Sequence, residues 1–194
     1  PKETSTRVNI DTLQKKDLGK FKLGQSLLLS GKILTARDAA HKKLKELADN
    51  NQPLPDGLDL KNRFIYYVGP VDPVGNEVVG PAGPTTSSRM DKYSSLMLED
   101  YEIIGMIGKA ERGSEALESI KKNKAVYFIA VGGSAYLISQ AIKSSKLIAF
   151  PELGMEAIYE FEVKDMPVTL AANTDGESLH EEGVKKWNAV LMKD

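Results

Sequence analysis

The chain has 194 residues, with 26 lysines and arginines against 27 aspartates and glutamates. That length supports one compact domain, expected here over residues 1–194, and near-neutral charge without a basic block excludes nucleic acid as the main partner. No apolar run reaches the ~20 residues of a membrane span, and Pro1-Lys2-Glu3-Thr4-Ser5 has no apolar signal region, so the cytoplasm is the expected compartment. Cysteine is absent, which removes disulfides, thiol catalysis and any cysteine-ligated cluster or zinc held by this chain. His41 and His180 are the only histidines, so a metal site built wholly from this chain would rely on carboxylates, and no EF-hand-like run occurs.

Taken in order, residues 1–34 alternate polar and apolar, as in Thr6-Arg7-Val8-Asn9-Ile10 and Ser26 to Ile33. They read as strands separated by turns, forming a sheet of their own apart from the central strands. Thr35 is the expected N-cap of a helix whose apolar face is Ala39, Ala40, Leu44, Leu47 and Ala48. After a Pro-rich loop, Phe64-Ile65-Tyr66-Tyr67-Val68 is a strong strand signal closed by Gly69-Pro70. A shaped loop, Gly80-Pro81-Ala82-Gly83-Pro84, then runs through Thr85-Thr86-Ser87-Ser88-Arg89 into a helix expected from about Thr86 to Glu99.

Ile103 to Ile107 reads as a strand, Glu115 to Lys121 as a helix, and Ala125 to Val131 as a buried strand. Gly132-Gly133-Ser134 launches a helix to Ile142. Further strands are expected near Lys146–Ala149, Ile158–Val163 and Val168–Ala172, followed by a helical tail with Leu179, Val184, Trp187 and Leu191. The strand–helix alternation of the middle predicts an α/β fold, with a central, mostly parallel sheet flanked by helices and a β-rich N-terminal part.

Several runs can carry chemistry. Ser and Thr ahead of a helix are favoured caps, and the first helical turn offers free N–H groups to an anion. With Arg89 alongside, the 80–93 run is either a capped helix start or a small anion-binding surface. Arg37 and His41 share a helix face, one turn apart; they are either solvated or face a cleft with Arg89. Lys109 follows a strand after a glycine, where α/β sheets bind ligands, although a surface lysine reads the same way. Gly132-Gly133-Ser134 lacks the full glycine pattern of a phosphate loop and reads as a tight turn. Glu152 and Glu156, four residues apart, can do acid–base work or bind a neighbouring cation. Asp175-Gly176 reads as a turn.

Six runs, in order, resemble the C-terminal domain, or separate β subunit, of class I iron–sulfur fumarases. They are Gly31 to His41, Tyr67-Val68-Gly69-Pro70, Gly83 to Asp91, Gly108-Lys109, Gly132-Gly133, and Pro151-Glu152-Leu153-Gly154-Met155-Glu156-Ala157. They cover residues from about 20 to 180. Tartrate dehydratase β subunits share the Gly-Pro-Thr-Thr and Arg-Met elements, whereas the unbroken Glu-Leu-Gly-Met-Glu-Ala run looks more like the fumarase branch. The chain departs from the two-domain enzymes in lacking the cluster-bearing half. It also carries Ser87-Ser88 where many fumarases have Ala-Gly.

The resemblance implies a swivelling β/β/α domain and a hydro-lyase of the tricarboxylic acid cycle that interconverts fumarate and L-malate. It implies a [4Fe–4S] cluster held by the cysteines of a partner α subunit, in a hetero-oligomer of α2β2 type. From this chain it implies Arg37, Arg89 and Lys109 as cations for a dianionic substrate, and Thr85 as the base at carbon. Charge-assisted Arg–carboxylate pairs suit such a substrate. A threonine hydroxyl can act as a base only where cations stabilise its alkoxide. Two other readings stay open: an L-tartrate dehydratase β subunit, and a non-catalytic carboxylate-binding module.

Overall fold

Large apolar residues alternate between two cores and build the centre of the molecule. Phe64, Tyr66 and Val68 enter one core, and Ile65 and Tyr67 enter the other. Val126 and Phe128 alternate in the same way with Ala125 and Tyr127. A segment apolar on both faces is stable only as a strand covered on both sides. The computed structural model describes residues 5–68, 85–130 and 135–180. The Gly80–Pro84 stretch, the Gly132-Gly133-Ser134 turn and the tail beyond His180 lie outside them.

Seven strands form one sheet: β1 (Thr6–Asn9), β2 (Ser26–Thr35), β3 (Phe64–Tyr66), β4 (Gly105–Gly108), β5 (Val126–Ala130), β6 (Ile142–Ala149) and β7 (Ile158–Ala172). β2, β3, β4 and β5 lie side by side and parallel. β7 runs antiparallel to both β5 and β2, so the pairing closes into a circuit β2-β3-β4-β5-β7. β1 adds to the outside of β2, and β6 to the outside of β7. The α/β expectation holds, but the N-terminal strands do not form a separate sheet. β2 is long enough to pair with β1 over Leu27–Ser30 and with β3 at Leu34 and Thr35, which ties the start of the chain to the central strands.

The two strands expected at Ile158–Val163 and Val168–Ala172 are one. Lys164-Asp165-Met166-Pro167 looks like a break in sequence, with Asp165 at φ 52° and a proline two residues on. The strand passes through because this stretch falls between the β6 and β5 pairings, with β2 as its only paired strand among the described residues.

Helices α1 (Asp38–Asp49) and α2 (Ser114–Asn123) cover the core that contains Tyr67 and Tyr127; α3 (Ala135–Ala141) leads directly into β6. α1 buries Ala40, His41 and Leu44, and burying a leucine contributes ~1.5–3 kcal/mol. Its N-cap is Arg37, not Thr35. Thr35 instead ends β2, fully buried, and its Oγ1 accepts the Tyr159 N–H at 3.0 Å. The helix expected from Thr86 to Glu99 is irregular: a 3-10 segment, Ser87–Tyr93, and a π segment, Leu96–Asp100. Ser87 and Asp91 are bonded to strand ends and to the β4–α2 connection, and those anchors set the backbone path in place of regular helical bonding.

Candidate active site

The carboxyl ends of β2, β3 and β4 open onto one edge, and the four cation and base candidates gather there. β2 ends at Thr35, with Arg37 two residues later. The Tyr66 carbonyl at the end of β3 accepts the Ala36 N–H at 3.0 Å, and the Tyr67 carbonyl accepts the Thr85 N–H at 2.8 Å. Lys109 follows β4 directly. Thr86 bridges to Lys109 in parallel fashion, and the Ser87 N–H donates to the Lys109 carbonyl at 3.1 Å. The ends of β3 and β4 thus hold the 85–89 segment in place, and the end of β2 is bonded to β3 beside it.

Among the side chains, Arg89 is the hub. Its Nη1 donates to Thr85 Oγ1 at 3.2 Å, and its Nη2 binds the Asp38 carboxylate. Asp38 is the residue after Arg37 and opens α1. Arg37 is half-buried, and its Nε is buried without a hydrogen-bond partner among the described residues. Lys109 is exposed. The edge is therefore cationic, accessible and only partly self-satisfied, as a carboxylate-binding surface requires.

Behind this edge lies a buried polar frame that sequence reasoning missed. The Arg112 side chain is fully buried; its Nε reaches Asp91 Oδ1 at 2.7 Å, and its Nη1 reaches the Tyr67 hydroxyl at 3.1 Å. Its guanidinium lies over the Tyr67 and Tyr127 rings, 5.1 and 5.0 Å from their centroids. The other Asp91 oxygen accepts the Gly113 N–H at 2.7 Å. The Tyr127 hydroxyl lies 2.7 Å from both Ser87 Oγ and the Ala110 carbonyl oxygen. A carbonyl only accepts, so the phenol proton goes to Ala110 and the Ser87 hydroxyl supplies the other bond. Ser87 Oγ also accepts the Lys109 N–H at 3.1 Å. Burial pushes the Tyr127 and Tyr67 phenols up, so both stay protonated.

Ser87, one of the two residues that depart from the fumarase pattern, therefore points into the frame and Ser88 is exposed. Gly108 is required for this packing. A Cβ there would sit 1.9 Å from Ser87 Oγ and 2.9 Å from the Tyr67 ring.

His41 faces neither solvent nor the cation edge. It is 1% exposed, stacked on Tyr93 at 5.3 Å and edge-on to Tyr67 at 5.6 Å. Desolvation lowers its pKa to about 4, with the bond to the Arg37 carbonyl opposing. The ring is neutral at pH 7. Nδ1 lies 2.7 Å from that carbonyl, which accepts only, so Nδ1 carries the proton. Glu152 and Glu156 serve α1: Glu152 pairs with Lys43 at 3.4 Å, and Glu156 accepts the Ala39 N–H at 3.4 Å. A cavity of about 440 Å³ begins at Ala110 and is lined by Arg112, Tyr127, Leu117 and His180. It includes none of Arg37, Thr85, Arg89 and Lys109, and its lining is mostly apolar, so the strand-end edge is the better candidate site. Among the described residues, no three His, Cys, Asp or Glu side chains come together to hold a metal ion. Nor is any helix there long and apolar enough to cross a membrane.

Residues 1–183 match the family described as "Fumarase C-terminus". The chain belongs to the fumarase C-terminus family. It is 36% identical over 177 residues to the "Fumarate hydratase class I, anaerobic" of Escherichia coli K12, covering 91% of this chain and 32% of that protein. It is 33% identical over 183 residues to "Fumarate hydratase 2" of Leishmania major, covering 91% and 32%. With the "Putative L(+)-tartrate dehydratase subunit beta" of Methanocaldococcus jannaschii it shares 38% over 179 residues, covering 90% and 91%. This fumarase C-terminal chain thus spans about a third of the length of those two hydratases, and nearly all of the tartrate dehydratase subunit.

Asp38, Asp91, Arg112 and Tyr127 are the site residues that pattern reading passed over, and Ser87 stood out only as a departure from the fumarase pattern. For Asp38 there was a signal, a carboxylate beside Arg37 in a helix's first turn. Arg112, in Glu111-Arg112-Gly113, had none.

Proposed function

We propose that this chain, a single unit over residues 1–194, is the β subunit of a two-subunit cytoplasmic hydro-lyase that interconverts fumarate and L-malate. The observation that carries the reading is the meeting of Arg37, Thr85, Arg89 and Lys109 at adjacent parallel strand ends, with Arg89 bonded to the Thr85 hydroxyl. Fumarate and malate are dianions, and three cations on one open edge suit them. Arg89 offers planar donors for a carboxylate, and Lys109 offers a point charge. The names of the relatives support this chemistry.

In the dehydration direction, Thr85 as an alkoxide takes a proton from the carbon next to a carboxylate. The hydroxyl on the neighbouring carbon then leaves and the double bond forms. The Arg89 Nη1–H donates to Thr85 Oγ1 and stabilises its negative charge. A positioned proton-transfer group contributes ~10²–10⁴-fold. Buried Tyr127 and Ser87 hold the backbone of Lys109 and so fix where its side chain starts.

The residues of this chain do not fit an iron–sulfur cluster. It has no cysteine, and its described residues form no metal-binding group. A [4Fe–4S] cluster would belong to an α subunit that closes the edge, and the proton donor to the leaving hydroxyl would come from the same subunit. An α2β2 assembly is the arrangement we favour. The test is anaerobic co-expression with a cysteine-containing partner, followed by hydratase assays on fumarate, mesaconate and tartrate. Fumarate turnover by the complex, absent from either chain alone, is the expected result. No turnover of any of the three by a complex carrying the intact cluster would remove the reading.

A second reading, an L-tartrate dehydratase β subunit, is favoured by one observation: the relative so named is matched over 91% of its own length. The same residues would act on a substrate with one more hydroxyl. Faster turnover of tartrate than of fumarate would select it.

A further inference from the structure

Asp38 stands at the centre of the cation edge, yet it belongs to neither the base nor the clamp. Its carboxylate binds Nη2 of Arg89, while Nη1 of the same guanidinium donates to Thr85 Oγ1 at 3.2 Å. The Asp38 and Arg89 side chains keep 36% and 52% of their surface exposed, so a solute can reach both. Arg89 is the only cation paired with Asp38 among the described residues.

Two consequences oppose each other. As an acceptor, Asp38 restricts a long, rotamer-rich side chain to the orientation that faces Thr85. As a charge, it occupies donors that a substrate carboxylate needs, and it repels a dianion. We propose that Asp38 is a positioning residue that holds Arg89 against Thr85 and competes with the incoming dicarboxylate for that arginine, raising turnover while weakening binding. The kinetic part of this inference rests on the hydro-lyase reading; the binding part does not.

The test uses the chain assembled with its partner subunit and two variants. Asp38→Asn keeps an oxygen acceptor for Arg89 and removes the charge. Asp38→Ala removes both. Succinate, a saturated four-carbon dicarboxylate that cannot be hydrated or dehydrated, is the equilibrium probe. Both variants should bind succinate about two- to fivefold more tightly, the size expected for removing one exposed like charge. Asp38→Asn should keep kcat within about threefold, whereas Asp38→Ala should lower kcat at least about tenfold without raising KM, the pattern of an interaction used for reaction and not for binding. The Arg89 Nε–H signal in NMR should be sharp in wild type and Asp38→Asn, and averaged in Asp38→Ala. A residue that only supported the start of α1 would shift the melting curve and leave succinate affinity alone.

Succinate binding that is unchanged or weaker in both variants overturns the proposal. So does an Asp38→Ala enzyme with the kcat of Asp38→Asn. If the wild-type complex turns over none of the candidate substrates, the hydro-lyase reading fails on its own. Succinate affinity and the Arg89 signal then decide the inference about Asp38, with the same results expected and the same results against it.

Discussion

Two arginines in this molecule have opposite surroundings. Arg112 has no exposed side-chain surface and is held by Asp91, the Tyr67 hydroxyl and two aromatic faces. Arg89 is half exposed and is held by one hydroxyl and one carboxylate. A buried charge survives only when paired, so Arg112 is bound to its frame and cannot be given up to a ligand. Arg89 keeps donors in reserve and costs little to rearrange. The same side chain builds the frame in one place and, on the proposed function, offers itself to substrate in the other, and burial between aromatic faces tells the two apart.

The largest expected effect tests the frame. Arg112→Ala leaves Asp91 without its charge partner and opens a cavity between Tyr67 and Tyr127. It should destabilise the fold by about 3–5 kcal/mol, a melting point lower by roughly 6–20 °C. Arg89→Ala should change stability by less than about 1 kcal/mol, because exposed pairs contribute little. Thermal melts of both variants check this, and equal losses would break the comparison.

His41 gives the frame a pH dependence. Its folded pKa is about 4 against an ordinary value of 6.5. The unfolded chain therefore takes up a proton, as pH falls below 6.5, that the folded chain refuses. Stability from this group is complete above about pH 6.5 and is lost between there and pH 4, on the order of 3 kcal/mol in all. Denaturant midpoints at pH 7 and pH 4.5 should differ more in wild type than in His41→Phe. Parallel pH dependence in the two proteins would contradict the buried neutral assignment.

Gly108→Ala sharpens the boundary between frame and edge. The added methyl group meets Ser87 Oγ and the Tyr67 ring, both held in place by hydrogen bonds. Overpacking of this kind costs about 1–3 kcal/mol. It should also displace the Thr86–Lys109 bridge, so activity should fall further than stability. Activity retained alongside a lowered melting point would show that Lys109 does not need its present position.

Local chemistry in the sequence is enough for the central strands, whereas Arg37, Thr85, Arg89 and Lys109 each also read as ordinary cap or surface residues and only the family resemblance marks them. Phe64–Val68 and Ala125–Val131 are apolar on both faces and bounded by turn residues, and the 85–89 run carries its own hydroxyls and arginine. What closes β2, β3, β4, β5 and β7 into a circuit is partner choice between distant segments, which no local pattern encodes. The same cause hid the irregular 87–100 stretch, whose path depends on Lys109, Gly113 and Tyr127. Thr35 has the local look of a cap, but its hydroxyl bonds to Tyr159, 124 residues away.

The most direct test of the central claim is Thr85→Ala in the assembled complex, measured by steady-state kinetics and a melting curve together. If the Arg89-bonded hydroxyl is the base, kcat should fall by about 10²–10⁴-fold, with KM and melting point little changed. A near-normal kcat with a lowered melting point would make Thr85 a structural residue and contradict the account.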